Sequence, residues 1–505
     1  MIHHRLIPFR PSRASRHRSR VLNAVHYALS SLFLRLFWVL CVFSGLLSPL
    51  VRAEQFGAFT YTSDGAAITI TGYTGAGGAV TIPGEIAGLP VRVIGDSAFL
   101  GKANLIAVNL PESVTSVVSS AFFYCPDLIS IDVAAANTSY RSVDGVLFDK
   151  SLTTLVRYPG GKAGSYAIPS GISAIASYAF LSSTGLDGVT IPEGVASIGF
   201  LAFASCSKLT NAAIPESVTL IEGGPFGNCT GLQHIAVASG NQNYQSIDGA
   251  LFDIGLSTLI QYPAGRPGGY VIPDGVSSIG GDAFNGSFGL TSIAIPGTVT
   301  TIRQGAFANC SNLDDMILPE GVVTIEWHAF QGCSVLRNVI IPDSTNTIGG
   351  MAFFGCTSLT SVIMGSGVTS IGNEAFRNNA ALARVLFEGD APASFGSNVF
   401  DNAAERFTIS YQDGSSGFSS PLWMGYPAVV LRIISTTWQN GVVSLMASGG
   451  QQDWIYELQR RLDLGASPWA TVGTSGPLAA DGTVTLSDNT APPAQAFYRV
   501  VGHEP

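Results

Sequence analysis

The chain has 505 residues, 46% of them apolar and 12% charged, with 25 Lys+Arg against 34 Asp+Glu. That is enough apolar mass for a large core, which excludes a disordered chain; after residue 53 the balance is 17 basic against 34 acidic residues, which excludes a nucleic-acid partner and leaves little attraction to anionic lipid. Four of the seven His (His3, His4, His17 and His26) precede residue 53, so His-based catalysis and His-rich metal sites have only His234, His328 and His503 to draw on.

Residues 1–53 hold eight Arg and no carboxylate. They lead into an apolar stretch, Leu36 to Leu47, then Pro49 and the tripeptide Val51-Arg52-Ala53. Basic, apolar and small-residue parts in that order describe a secretory signal peptide cleaved after Ala53. An uncleaved anchor over Tyr27 to Leu50 is the alternative, but Arg35 interrupts it and the clean run falls short of the roughly 20 residues a span needs. The expected mature chain is secreted or held at the cell surface, with no membrane span after signal cleavage.

Residues 54–84 are expected to form an N-terminal cap and a first degenerate repeat. Gly75-Ala76-Gly77-Gly78 precedes the strand-like Ala79-Val80-Thr81-Ile82 rather than a helix, so it reads as a turn and not a phosphate cradle. Then Ala-Phe recurs, with Phe at 99, 122, 180, 203, 226, 284, 307, 330, 353, 376 and 400, mostly 23 residues apart. A fixed period of this size marks a solenoid. One complete unit runs from Ile341-Pro342 through Ile348, Ala352-Phe353, Cys356, Leu359 and Val362 to Met364. Its Leu-x-x-Val-x-Ile part alternates as a short strand must, so each coil is expected to add one strand to a parallel ladder. Two steps of 58 residues hold insertions near 134–164 and 238–268. They match across 104 residues: Ser142 to Asp149 returns as Ser246 to Asp253, and Tyr158-Pro159 as Tyr262-Pro263. Two apolar runs around Lys150-Ser151-Leu152 read as a hairpin laid beside the main ladder.

These residues resemble the BspA-like, treponemal-type leucine-rich repeats of bacterial cell-surface proteins, from Ile82 to Phe400. Pro225 for Ala, Met364-Gly365 for Ile-Pro, and Lys102-Ala103 where Cys is expected are minor departures. The resemblance implies a leucine-rich repeat solenoid, β-rich with short helical or irregular convex segments, used for adhesion or protein recognition and not for catalysis.

Cys125, Cys206, Cys229, Cys310, Cys333 and Cys356 each lie three residues after a repeat Phe. An even number with export suggests disulfides, whereas equivalent positions in successive coils suggest a column of buried thiols; poor pairing geometry favours the thiols. No zinc spacing, Gly-x-Ser-x-Gly elbow or EF-hand loop occurs, so no cofactor, metal or catalytic residue is expected. Asp314 and Asp315 are adjacent and point to opposite sides of a strand, which rules out a facing acid/base pair.

The outward position of the ladder reads, coil by coil, Asn109, Asp132, Thr190, Ala213, Ala236, Ala294, Ile317, Ile340, Ile363 and Leu386. The last four form an expected apolar stripe, flanked by Asp315, Asn338, Ser361 and Arg384. Such a stripe is a contact surface for a protein or glycan ligand, unless the C-terminal region folds back over it.

The repeat solenoid is expected over 85–387, a C-terminal cap over 388–433, and a small β-sandwich-like, all-β module over 434–505. Strands are expected near Val442–Ala447, Ile455–Gln459, Thr483–Leu486 and Phe497–Val501. Trp454, Tyr456 and Trp469 are either core residues or a platform for sugar rings. A binding or adhesion scaffold for protein or glycan ligands is the functional expectation. The alternative is an envelope-attached glycan-binding protein in which the C-terminal module binds and the solenoid is a spacer.

Overall fold

The computed structural model describes residues 53–439, 442–448, 455–461, 470–474, 483–488 and 497–503. The expected leader up to residue 52 lies outside the described residues, as do Trp454 and Trp469.

Each regular coil carries two strands where one was expected. The longer strands, such as Asn338–Ile341, Ser361–Met364 and Arg384–Phe387, pair in parallel, with Ile340 beside Ile363 beside Leu386. The Val-x-x-Ile stretch makes a second strand of two residues. Thr301–Ile302, Thr324–Ile325, Thr347–Ile348 and Ser370–Ile371 stack into a second parallel ladder. A two-residue strand leaves no alternation to read in the sequence, which is why periodicity missed it. Turns close the coils, with one short 3-10 helix, Ser119–Phe122, among the described residues.

Between the ladders lies the core, and its axis is a column of phenylalanines. Phe284, Phe307, Phe330, Phe353 and Phe376 stack with centroids 4.8–5.0 Å apart and planes within 15°. That distance is the strand spacing of about 4.8 Å, so the ladders impose the stack. Each fully buried Phe contributes about 1.5–3 kcal/mol.

All six described cysteines are buried and free. Each donates its S–H to the Phe carbonyl of the preceding coil: Cys310 to Phe284 (3.1 Å), Cys333 to Phe307 (3.3 Å) and Cys356 to Phe330 (3.2 Å). In the next coil the Asn379 amide does the same for Phe353 (3.1 Å). At Phe284, Phe307 and Phe330 the carbonyl also accepts the backbone amide three residues on, so the thiol is its second donor. Burial pushes the Cys125, Cys206 and Cys310 thiols up, so these stay protonated donors.

The insertions do not lie beside a ladder; they restart one. Tyr140–Val143 and Val146–Asp149 form a hairpin around Asp144-Gly145, whose φ values of 49° and 76° suit a type I′ turn. Thr154–Arg157 then pairs antiparallel with that hairpin and parallel with Ala174–Ile175, the next short strand. The second insertion repeats this with Tyr244–Ile247, Ala250–Asp253 and Thr258–Gln261. Because neighbouring side chains face opposite ways, Leu147 packs into the core before the hairpin while Val146 and Phe148 pack into the core after it. Leu251 divides from Ala250 and Phe252 in the same way. Tyr158 and Tyr262 then take the Phe position, 4.8 and 4.9 Å from Phe180 and Phe284.

Each splice is fastened by one buried asparagine. Asn241 donates to the Pro215 and Val218 carbonyls (2.8 and 3.0 Å) and accepts the Asn243 and Tyr244 amides (2.8 and 2.9 Å). Asn137 makes the corresponding four bonds in the first copy. The Tyr244 hydroxyl accepts the Ile221 amide (2.7 Å) where a ladder carbonyl would otherwise stand. The copies differ in one buried polar side chain, Arg157 against Gln261. Arg157 donates to the Tyr178, Phe122 and Leu181 carbonyls, and burial holds its guanidinium down at about 10. Gln261 instead donates to the Ala283 carbonyl and accepts the Phe226 amide.

Both ends of the column are closed by aromatic rings. Tyr73 stacks on Phe99 at 5.4 Å. At the other end Tyr426 sets its ring on edge against Phe400 (5.4 Å), accepts the Phe400 amide and donates to Asp401. Thr408–Gln412 and the start of Tyr426–Gln439 extend the long-strand ladder by two rungs. Tyr426–Gln439 runs through the expected boundary at 433/434 and pairs antiparallel with Val442–Ser448, which pairs with Thr483–Asp488. Ile455–Arg461 pairs with Ala470–Thr474 and Phe497–His503 in a separate sheet.

The asparagine hook gives a test. Asn241→Ala removes four buried hydrogen bonds at once, and the expected loss is about 2–4 kcal/mol, read as a lower urea midpoint. Asn243→Ala, two residues away, is expected to stay within about 0.5 kcal/mol of the parent.

Candidate binding surface

On the long-strand ladder, side chains that alternate with the core point outward. Val362 and Val385 belong to the core, so Ile363 and Leu386 point the other way. Pairing of Tyr270 with Ile293 and of Ile293 with Met316 puts Val271, Ala294 and Ile317 in one row; Asp315–Met316 and Asn338–Ile341 belong to separate sheets, and Ile340 takes the equivalent place 23 residues after Ile317.

The expected register is therefore present, but the stripe divides in two. Ile317 is 71% exposed and Ile340 49%, whereas Ile363 and Leu386 are 8% and 6% exposed. The latter pair lies outside the three core clusters, yet both side chains are buried. Ser361 is buried too, and its hydroxyl donates to Asn338 Oδ1 (2.6 Å). Ile363, Leu386 and Ser361 are thus corrected from contact residues to covered ones. Strand alternation sets which way a side chain points and not what lies against it. Asn338 is exposed and Arg384 half-buried. Asp315 pairs with Ser292 in the ladder.

Sequence reasoning missed Val271, which is 72% exposed and extends the open row by one coil beyond Ala294. Counting from each Phe skipped it, because its coil carries Tyr262. The signal was present in Ile272-Pro273, which follows Val271 as Ile295-Pro296 follows Ala294. The open row is thus Val271, Ala294, Ile317 and Ile340. At its edge Arg337 and Asp314 form an exposed ion pair (3.7 Å), worth little in water.

Among the described residues no group of three or more His, Cys, Asp or Glu is placed to hold a metal, and no helix is long and apolar enough to cross a membrane.

The BspA type leucine rich repeat region matches this chain in six copies, over residues 85–155, 160–259 and 270–406. The chain belongs to this leucine-rich repeat family. The open row falls within the last stretch of the repeats. Similar solved structures include a leucine rich cell surface protein from Faecalibacterium prausnitzii, 28% identical, covering 68% of this chain and 96% of that one with a TM-score of 0.47. The pneumococcal vaccine antigen PcpA is 20% identical, with 73% and 95% covered and a TM-score of 0.48. A leucine-rich repeat protein from Eubacterium ventriosum is 22% identical, with 73% and 96% covered and a TM-score of 0.44. No curated protein matches the chain.

The division of the stripe predicts unequal responses to one substitution. Ile363→Asp puts a carboxylate under cover and is expected to cost about 3 kcal/mol or more in urea unfolding. Ile317→Asp, in the open part of the same repeat row, is expected to change stability by no more than about 0.5 kcal/mol.

Proposed function

We propose that this leucine-rich repeat protein is exported and serves, secreted or at the cell surface, as a non-enzymatic binding scaffold. Its ligand is a protein segment that lies along the open ladder row. The observation that carries this reading is the exposure of Val271, Ala294, Ile317 and Ile340, which take the same outward place in four successive coils. At about 4.8 Å per rung the run is about 15 Å long. Contiguous apolar surface is seldom left in water without a partner. Branched aliphatic side chains fit the side chains of a protein, whereas the four residues of the row offer a sugar neither a flat aromatic face nor a polar side chain. Ser292 and Asn338, on the same strands, supply hydrogen-bonding groups beside the row. The export step rests on the basic, apolar and small-residue order of the first 53 residues.

The test is retention of envelope and extracellular-matrix proteins by immobilised chain 54–505, beside an Ile317→Asp/Ile340→Asp variant shown to melt like the parent. The expected result is a retained component that protease treatment removes and that the variant binds at least about tenfold more weakly. Equal retention by the variant would refute the assignment. So would retention abolished by periodate oxidation of glycans and untouched by protease.

A further inference from the structure

The second insertion leaves a hollow on the ladder face that the aliphatic row does not use. The turn Asp248-Gly249 ends the rung His234–Val237: the Ile235 amide donates to the Gly249 carbonyl (2.9 Å) instead of to a further coil. The hollow measures about 380 Å³, within the range of small-molecule sites. Gln233 and His234 line it from the rung, Ser246 and Asp248 from the hairpin, and Arg266 from the next coil. His234 rests on the bare Cα of Gly249, where a Cβ would stand 2.5 Å from Nδ1.

The chemistry of the wall is mixed and nearly neutral. Arg266 donates to the Asp248 carbonyl and to its carboxylate (3.0 Å) and lies over the Tyr262 ring at 5.7 Å, so its guanidinium is fixed with further N–H groups to give. Gln233 spends its amide nitrogen on the Gly265 carbonyl (2.9 Å), which leaves Oε1 as an acceptor. The Ser246 hydroxyl donates to the Ile235 carbonyl and can still accept. The exposed His234 ring adds one donor and one acceptor when neutral. An anion entering here would meet the Asp248 carboxylate and Gln233 Oε1. A metal ion would meet the Arg266 guanidinium. A neutral polyol meets no like charge, and its hydroxyls both donate to the carboxylate and accept from the guanidinium.

The first insertion supplies an internal comparison. At the positions 104 residues earlier, Ile129 and Ser130 stand for Gln233 and His234, and Asp144 and Lys162 for Asp248 and Arg266. Ser130 closes onto Asp132 (2.7 Å), and Lys162 reaches only the Asp144 carbonyl (2.9 Å). One backbone arrangement therefore carries two different sets of polar groups.

We propose that the hollow at the second insertion binds a neutral saccharide unit, with Arg266 and Asp248 bonding adjacent hydroxyls and with His234 and Gln233 orienting the ring. This ligand is separate from the protein segment assigned to the aliphatic row.

Ligand-observed NMR and calorimetry on chain 54–505 test it, with N-acetylglucosamine, galactose and mannose oligosaccharides as probes and N-acetylneuraminic acid and inorganic phosphate as charged controls. The expected result is binding of a neutral probe, weakened about tenfold or more by His234→Ala and by Arg266→Gln. Lys162→Gln, at the equivalent place in the first insertion, and Ile317→Asp, in the aliphatic row, are expected to leave it unchanged. If Arg266→Gln does not fold, His234→Ala and Gln233→Leu, both at exposed positions, decide the matter. The proposal is overturned if no neutral probe binds, if phosphate or N-acetylneuraminic acid binds better, or if the folded variants bind as the parent does. Loss of sugar binding in Ile317→Asp would also overturn it, by moving the site to the row.

Discussion

The stacking of one phenylalanine per coil on the next is the constraint from which the rest of the molecule follows. Two parallel ladders hold successive coils at about 4.8 Å, and a ring at the same place in each coil has no choice but to lie face over face. The 23-residue period is the length of chain that returns the ring to that place. The coil from Phe376 to Phe400 has one residue more, and there the centroids separate to 5.6 Å and the planes tilt to 27°, against 5.0 Å and 4° in the coil before. The buried thiols follow the same spacing: the cysteine three residues beyond the next Phe donates to the carbonyl of the Phe before it, beside a backbone amide.

A core fixed this firmly frees the outward side chains for other work. Strand alternation gives every inward Val or Ile an outward neighbour that contributes little to stability and can vary from coil to coil. In this chain the outward row becomes aliphatic and open at Val271, Ala294, Ile317 and Ile340, then aliphatic and covered at Ile363 and Leu386. The insertions act differently. By ending one ladder run and starting another, each hairpin breaks the smooth face, and at the second break polar groups from three segments converge on one hollow. Repetition thus builds the scaffold, and the interruptions give it local character.

What was legible in the sequence is what repeats locally. The period, the ring column, the inward thiols and the register of Ile317, Ile340, Ile363 and Leu386 all rest on fixed spacings a reader can count, and family membership rests on the same spacings. The two-residue strands of the second ladder were not legible, because a pair of residues carries no period. The hairpin around Lys150-Ser151-Leu152 could be read from its two apolar runs, and Asp144-Gly145 and Asp248-Gly249 as turns, but not which ladder these strands enter, since that depends on pairing with a strand some twenty residues away. Burial of Ile363, Leu386 and Ser361 was illegible because alternation gives the direction of a side chain and not what lies against it. The hollow lined by His234 and Arg266 joins residues 32 positions apart, and neither belongs to a motif.

The most direct measurement of the central claim, that the open ladder row is the contact surface, is site-specific photo-crosslinking. A benzophenone side chain would replace Ile317 in one preparation and Trp327 in another; Trp327 is also apolar and about half exposed, but it lies in the turn after the short strand Thr324–Ile325. After irradiation with envelope and matrix proteins, the account predicts a discrete adduct from position 317 and none from position 327. Adducts of equal yield from both, or from 327 alone, would contradict it.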